Sequence, residues 1–131
     1  RRWTYAELLA EAEDCARWLL ESYTPGERIC IWAPNVPEWV IVQYGAALAG
    51  LVLVTANPAL RVGELRYVLR QSQSVGLIHA DQFRGTDMAG IAREVSDEVR
   101  ATFCMANWQT AVRGQARTGT LPVVKPGDPA Q

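Results

Sequence analysis

The stretch from Glu27 to Pro58 limits what this chain can fold into more than any other. Two short apolar runs rich in β-branched residues, Arg28 to Ala33 and Leu51 to Ala56, flank a longer apolar run that starts after Asn35 and stops at Gly50. Strand-length apolar runs bounded by Gly and Pro are the mark of strands covered on both faces. Strand, crossover helix and strand then make a right-handed βαβ unit, the seed of a parallel sheet.

The central helix has its own signals. Asn35 is placed to cap it, Pro37 is tolerated in its first turn, and Glu38 at the third position faces the positive end of the dipole. From Trp39 to Ala49 it is apolar nearly all round, with Gln43 the main exception, so it has to be covered on most sides. Val40 to Ala56 is almost long enough to span a bilayer. Gly50 as a helix stop, the β-branched residues after it and Gln43 near the centre argue against a span.

The flanks continue the alternation. Thr4 and Glu7 form a T-x-x-E capping box, with Trp3 and Leu8 at the two positions of a hydrophobic staple. Leu8, Ala12, Cys15, Ala16, Leu19 and Tyr23 recur on one face of a first helix, and Pro25-Gly26 ends it. A third helix from about Arg61 to Gln73 turns Val62, Leu65, Val68 and Leu69 inward and Arg66 and Arg70 outward. It lacks a good capping residue, and Gly63 weakens its first turn. Val75 to Ala80 reads as a third strand. Thr86 or Asp87 caps a fourth helix with Met88, Ile91, Ala92, Val95 and Val99 on its buried side, and Ala101 to Met105 is a fourth strand.

The expected fold is α/β, a parallel sheet of about four strands with helices on both faces, over residues 1–105. From Ala106 periodicity ends, and Gly114, Gly119, Pro122, Pro126 and Gly127 mark residues 106–131 as connecting loop.

Charge and cysteine usage exclude several classes. Thirteen basic against fourteen acidic side chains give no nucleic-acid or anionic-membrane surface. Cys15, Cys30 and Cys104 are odd in number, widely spaced and in apolar contexts, which fits reduced core thiols in a cytoplasmic protein. No GxGxxG, GxxxxGK[ST] or GxSxG occurs, and one histidine with scattered cysteines cannot build a zinc site. The chain starts Arg1-Arg2-Trp3 without an initiator Met and stops at Gln131, as expected of an excerpt from a longer protein.

Few residues remain as site candidates. His79 ends a strand where α/β ligands often bind, but reads first as a partly buried structural histidine. Trp32 and Trp39 read as packing residues, and Glu94, Asp97 and Glu98 as a solvated helix face. Phe83-Arg84-Gly85-Thr86-Asp87-Met88 is the best local candidate, because a guanidinium beside a helix N-terminus favours an anion such as phosphate. The plain alternative is an ordinary turn with an exposed arginine.

A series of short pieces then carries a resemblance. They are Trp3-Thr4-Tyr5-Ala6-Glu7-Leu8, Pro25-Gly26-Glu27-Arg28-Ile29, Pro34-Asn35-Val36-Pro37-Glu38-Trp39 and Gly50-Leu51-Val52-Leu53-Val54-Thr55-Ala56-Asn57-Pro58. Glu64-Leu65, Phe83-Arg84-Gly85 and Pro126-Gly127-Asp128-Pro129-Ala130-Gln131 follow. In order and spacing the chain resembles the start of an adenylate-forming (AMP-binding) acyl-CoA synthetase, nearest the fatty-acid or medium-chain CoA ligase branch. The resemblance implies the first subdomain of that family's N-terminal domain. It also implies a two-step ligase using ATP, Mg and CoA, in which a carboxylic acid becomes an acyl-adenylate and then an acyl-CoA.

In such enzymes the remainder of the same polypeptide, a second α/β subdomain and a C-terminal domain, would be this chain's partner. The family's phosphate loop begins just after a pattern like Asp128 to Ala130, so it falls beyond Gln131. Its adenine segment, ribose-binding Asp and catalytic Lys have no counterpart here, and Lys125 stands in the wrong context. No catalytic residue is assigned, and the piece is expected to be inactive alone. Arg84-Gly85 matches the position of an Arg-Gly pair that reaches the CoA phosphates in some CoA ligases. Arg61 departs from the small hydroxyl residue that usually precedes the third helix. The rival readings are an aryl-acid or carrier-protein-loading adenylating enzyme, a non-catalytic α/β interaction module, and a membrane-anchored segment.

Overall fold

The computed structural model describes residues 4–34 and 36–107. Trp3 of the staple, Asn35 as a cap and the 108–131 part of the loop, with Lys125, lie outside the described residues. The chain divides into two compact units, one containing residues 4–27 and 36–53 and the other residues 28–34 and 54–107.

The first unit is a helix pair. Helix α1 (Tyr5–Leu20) starts at the expected box: Glu7 N–H donates to Thr4 Oγ1 at 3.1 Å and Thr4 N–H to Glu7 Oε1 at 2.9 Å. Ala12, Cys15, Ala16 and Leu19 are buried, as the spacing predicts. Helix α2 (Pro37–Leu48) has Val36 as its N-cap, and the Val36 side chain makes no capping hydrogen bond. Its end is well determined. Gly50 at φ +77 lets Leu51 N–H reach Ala46 O at 2.9 Å and Gly50 N–H reach Ala47 O at 3.1 Å, the doubly bonded stop that a left-handed residue permits.

Helices α1 and α2 pack at close range through small residues. A Cβ on Gly45 would lie 2.7 Å from Cys15 Sγ and 3.2 Å from Ala12 O, so only glycine allows this approach. Ile41, Val42, Ala46 and Ala49 of α2 are buried, but Tyr44 is exposed. The apolar helix is therefore covered on fewer sides than its composition predicts. Among the described residues no helix is long and apolar enough to cross a membrane.

The second unit holds the sheet apart from Val52 and Leu53 of one strand. Strands β1 (Arg28–Trp32), β2 (Val52–Ala56), β3 (Ser74–His79) and β6 (Ala101–Cys104) form a four-stranded parallel sheet in the order β2-β1-β3-β6. The α/β class with four parallel strands is the class expected. The order reverses at β1, where Trp32 of β1 and His79 of β3 are register partners. Helix α3 (Val62–Ser72) and helix α4 (Met88–Glu94) cover a core of Cys30, Trp32, Leu65, Leu69, Leu77, Met88, Ala92 and Val95.

Helix α4 is shorter than its apolar periodicity predicts. It stops at Glu94, and Ser96–Glu98 form a 3-10 turn. That turn is no simple solvated face. Arg66 of α3 bonds both Asp97 and Glu98, at 3.0 and 2.6 Å, and Arg70 donates to Glu98 at 2.8 Å. The two arginines point outward from the core as expected, and straight into these carboxylates.

Candidate functional site

Between β3 and α4 the chain makes a feature not expected from the sequence. Strands β4 (Gln82–Phe83) and β5 (Thr86–Asp87) pair antiparallel, with Phe83 opposite Thr86, and leave Arg84-Gly85 as a two-residue loop. Arg84 has φ +49 and Gly85 φ +80. Positive φ at both loop positions is the mirror-image turn that suits the twist of a hairpin, usually made by Asn-Gly or Gly-Gly. A Cβ on Gly85 would meet nothing within 4 Å, so glycine is needed there for its backbone angle and not for space. For Arg84 the left-handed conformation costs about 1 kcal/mol. The Arg84 guanidinium lies 5.1 Å from the Phe83 ring centroid, a cation–π contact that offsets about 0.5–1 kcal/mol.

The hairpin forms one wall of an open groove of about 760 Å³. Arg61 from the start of α3 and Arg93 from the end of α4 line it together with Arg84 and Gly85. Asp87 and Glu94 are its acidic members. The Asp87 carboxylate is already engaged, accepting from Gly90 N–H at 3.0 Å as the N-cap of α4. This narrows the anion argument made from sequence. The amino end of α4 is filled by the chain's own carboxylate and the helix has only 7 residues, so the arginines carry the attraction for an anion.

Neither Arg61 nor Arg93 is marked by sequence spacing. They join Arg84 only because α3 and α4 both pack on the same core. Arg61 heads α3 as a weak cap, its own N–H donating to Glu64 Oε1 at 3.0 Å.

The other titratable candidates are structural. His79 is buried, its Nδ1 lies 2.8 Å from Ala80 O, and desolvation lowers its pKa, which keeps the ring neutral. Trp32 is buried and its indole N–H donates to Asn57 O at 2.9 Å. Burial pushes the Cys30 thiol up to about 12, so it is inert as a nucleophile. Among the described residues no group of acidic, His and Cys side chains could hold a metal ion. What the site can do is bind a polyanion in the open, by charge and by forked guanidinium donors.

Comparison with known proteins identifies the family. Residues 1–130 match the family described as AMP-binding enzyme. The Bacillus subtilis protein YngI, named as an acyl-CoA synthetase, is 34% identical over 95% of this chain and 21% of its own length. The Rattus norvegicus mitochondrial medium-chain acyl-CoA ligase ACSF2 is 35% identical over 75% of this chain and 16% of its own. The apo structure of Mycobacterium smegmatis MbtA superposes with a TM-score of 0.82 at 31% identity, covering 99% of this chain and 25% of that one. The chain thus spans about a fifth of the length of the curated relatives it matches. By sequence match and by fold, this chain belongs to the AMP-binding enzyme family.

Proposed function

We propose that the chain is the N-terminal α/β part of an ATP-dependent carboxylate–CoA ligase that acts on a fatty or medium-chain acid. Within it, Arg84 and Gly85 contact the nucleotide phosphates of CoA. ATP with Mg supplies the activation of the carboxylate in such a ligase, and the residues for that step lie elsewhere in the parent protein. The piece by itself is without ligase activity. Cys15, Cys30 and Cys104 form no disulfide, which fits a reducing, cytoplasmic setting.

One observation carries the CoA assignment. A bulky cationic side chain is held at φ +49 on the tip of a hairpin, facing a groove that two further arginines line. Residues kept in sparsely populated backbone regions cluster at binding sites, where the surrounding structure offsets the strain. The relatives named as acyl-CoA synthetase or ligase support CoA as the anion.

The test is Arg84→Ala in the intact parent enzyme. Loss of a charge-assisted bond of about 1.5–3 kcal/mol should raise the KM for CoA by roughly 10- to 100-fold. Adenylate formation, followed by ATP–pyrophosphate exchange, should not change. An unaltered CoA dependence would remove Arg84 from the site.

A further inference from the structure

We infer that Arg61 and Arg93 read the 3′-phosphate of CoA, so that the acceptor is free CoA and not the phosphopantetheine of a carrier protein. This rests on the CoA reading of the groove given above and deepens it by assigning the two arginines that reading left without a role.

The assignment starts from which arginines are already occupied. Arg17 pairs with Asp14, and Arg66 and Arg70 pair with Asp97 and Glu98. Arg28 bonds the Gln73 side chain. Arg61, Arg84 and Arg93 are exposed, and none of the three has a carboxylate partner among the described residues. All three line one groove. The acids nearest in sequence are engaged elsewhere: Asp87 caps α4, and Glu64 accepts from the Arg61 backbone N–H. Glu94 is the groove's second carboxylate, so the lining stays net positive.

The placement of the three then selects the ligand. Arg84 stands on the hairpin ahead of α4 and Arg93 in the last turn of α4, with Gly90 and Ile91 lining the groove between them. Seven residues of helix are about 10 Å long, so the cations lie towards two ends of the groove and not around one point. Arg61 belongs with Arg93. Arg66, five residues further along α3, donates to Glu94 O at 2.7 Å, which holds this half of α3 against the last turn of α4. Two anionic centres are therefore called for, each suited to forked guanidinium donors. CoA has them, a 5′-pyrophosphate and a 3′-phosphate monoester on the same ribose. Such a monoester carries about −1.5 to −2 charge at neutral pH. Phosphopantetheine on a carrier protein has a single phosphodiester of one charge, which would leave Arg61 and Arg93 unmatched.

Steady-state kinetics of the intact parent enzyme with CoA and with dephospho-CoA, which lacks only the 3′-phosphate, test this. In the wild type the KM for dephospho-CoA should exceed that for CoA by roughly 10- to 100-fold. Arg93→Gln and Arg61→Gln should each raise the KM for CoA several-fold and leave that for dephospho-CoA where it was, so the preference shrinks. Arg93→Lys should restore part of it. Equal KM values in the wild type would overturn the inference. So would variants that weaken both acceptors alike, as damage to the fold would, or faster turnover with a phosphopantetheinylated carrier protein than with CoA. Arg84→Ala keeps the two readings apart, because it should raise the KM for both acceptors. If it does so while the Arg61 and Arg93 variants keep the full preference, only the present inference fails. If it changes neither KM while Arg93→Gln still lowers the preference, only the role of Arg84 fails.

Discussion

The two units of this chain solve the burial problem differently. The sheet unit closes around Trp32, Leu65, Leu69, Leu77 and Met88, and clamps its rim with Arg66, Arg70, Asp97 and Glu98. The helix pair packs through Gly45, Ala12 and Cys15 and leaves Tyr5, Leu9 and Tyr44 uncovered. Large interlocking side chains and paired charges close most of this unit, with Tyr67 of α3 its one exposed large apolar side chain among the described residues. Small residues give close backbone contact but enclose little apolar volume, so the wider side chains on the flank of the pair stay exposed.

Substitutions in an intact parent enzyme can break or sharpen this contrast. The largest effect belongs to the sheet unit: Trp32→Ala should cost about 3–5 kcal/mol, from the cavity and from the donor lost to Asn57 O. Urea unfolding checks it, and a cost under about 1 kcal/mol would mean that the core is not the anchor described. Next comes Gly45→Ala, which should destabilise by about 1–3 kcal/mol through overpacking against Cys15, despite alanine's better helix propensity. Gly63→Ala sharpens the comparison. Its Cβ would meet nothing within 4 Å, so propensity alone should stabilise α3 by about 0.5–1 kcal/mol.

Arg84→Gly separates shape from charge at the hairpin. It should relieve roughly 1 kcal/mol of backbone strain but lose a cation–π contact of about 0.5–1 kcal/mol, so Tm should hardly change while the KM for CoA still rises. If Tm and CoA affinity fall together, the arginine is a structural part of the turn.

The smallest effects are in pH dependence. Bonds from Arg70 and Arg66 hold the Glu98 carboxyl below its ordinary value of 4.5, so the folded state binds its proton less readily than the unfolded state. The stabilisation is complete above that value and fades as pH falls through it. Burial lowers the His79 pKa below 6.5, so its contribution is likewise present above 6.5 and lost as pH falls below it. Acid titration of stability should show both losses. His79→Gln should remove the earlier one and Glu98→Gln the later one.

Much of this architecture was legible in the sequence. The Thr4–Glu7 box, the Gly50 stop and the two apolar strands around α2 are local signals that act over a few residues, and each stands where expected. Failures came where a distant partner decided. The Asp97 and Glu98 carboxylates look solvated in a helical wheel but are held by α3. Apolar periodicity ran past Glu94, where the helix gives way to a 3-10 turn. Two residues on either side of Arg84-Gly85 are too short a stretch to show strand alternation, so the hairpin stayed hidden.

The sequence by itself determined the α/β class and the longer elements, because periodicity and caps are written in neighbouring residues. Only the tertiary structure decided the order β2-β1-β3-β6, the meeting of Arg61 and Arg93 with Arg84, and the bare face on α1 and α2. Each of these depends on which surfaces pack together, and that is set by the summed burial of residues far apart in the chain.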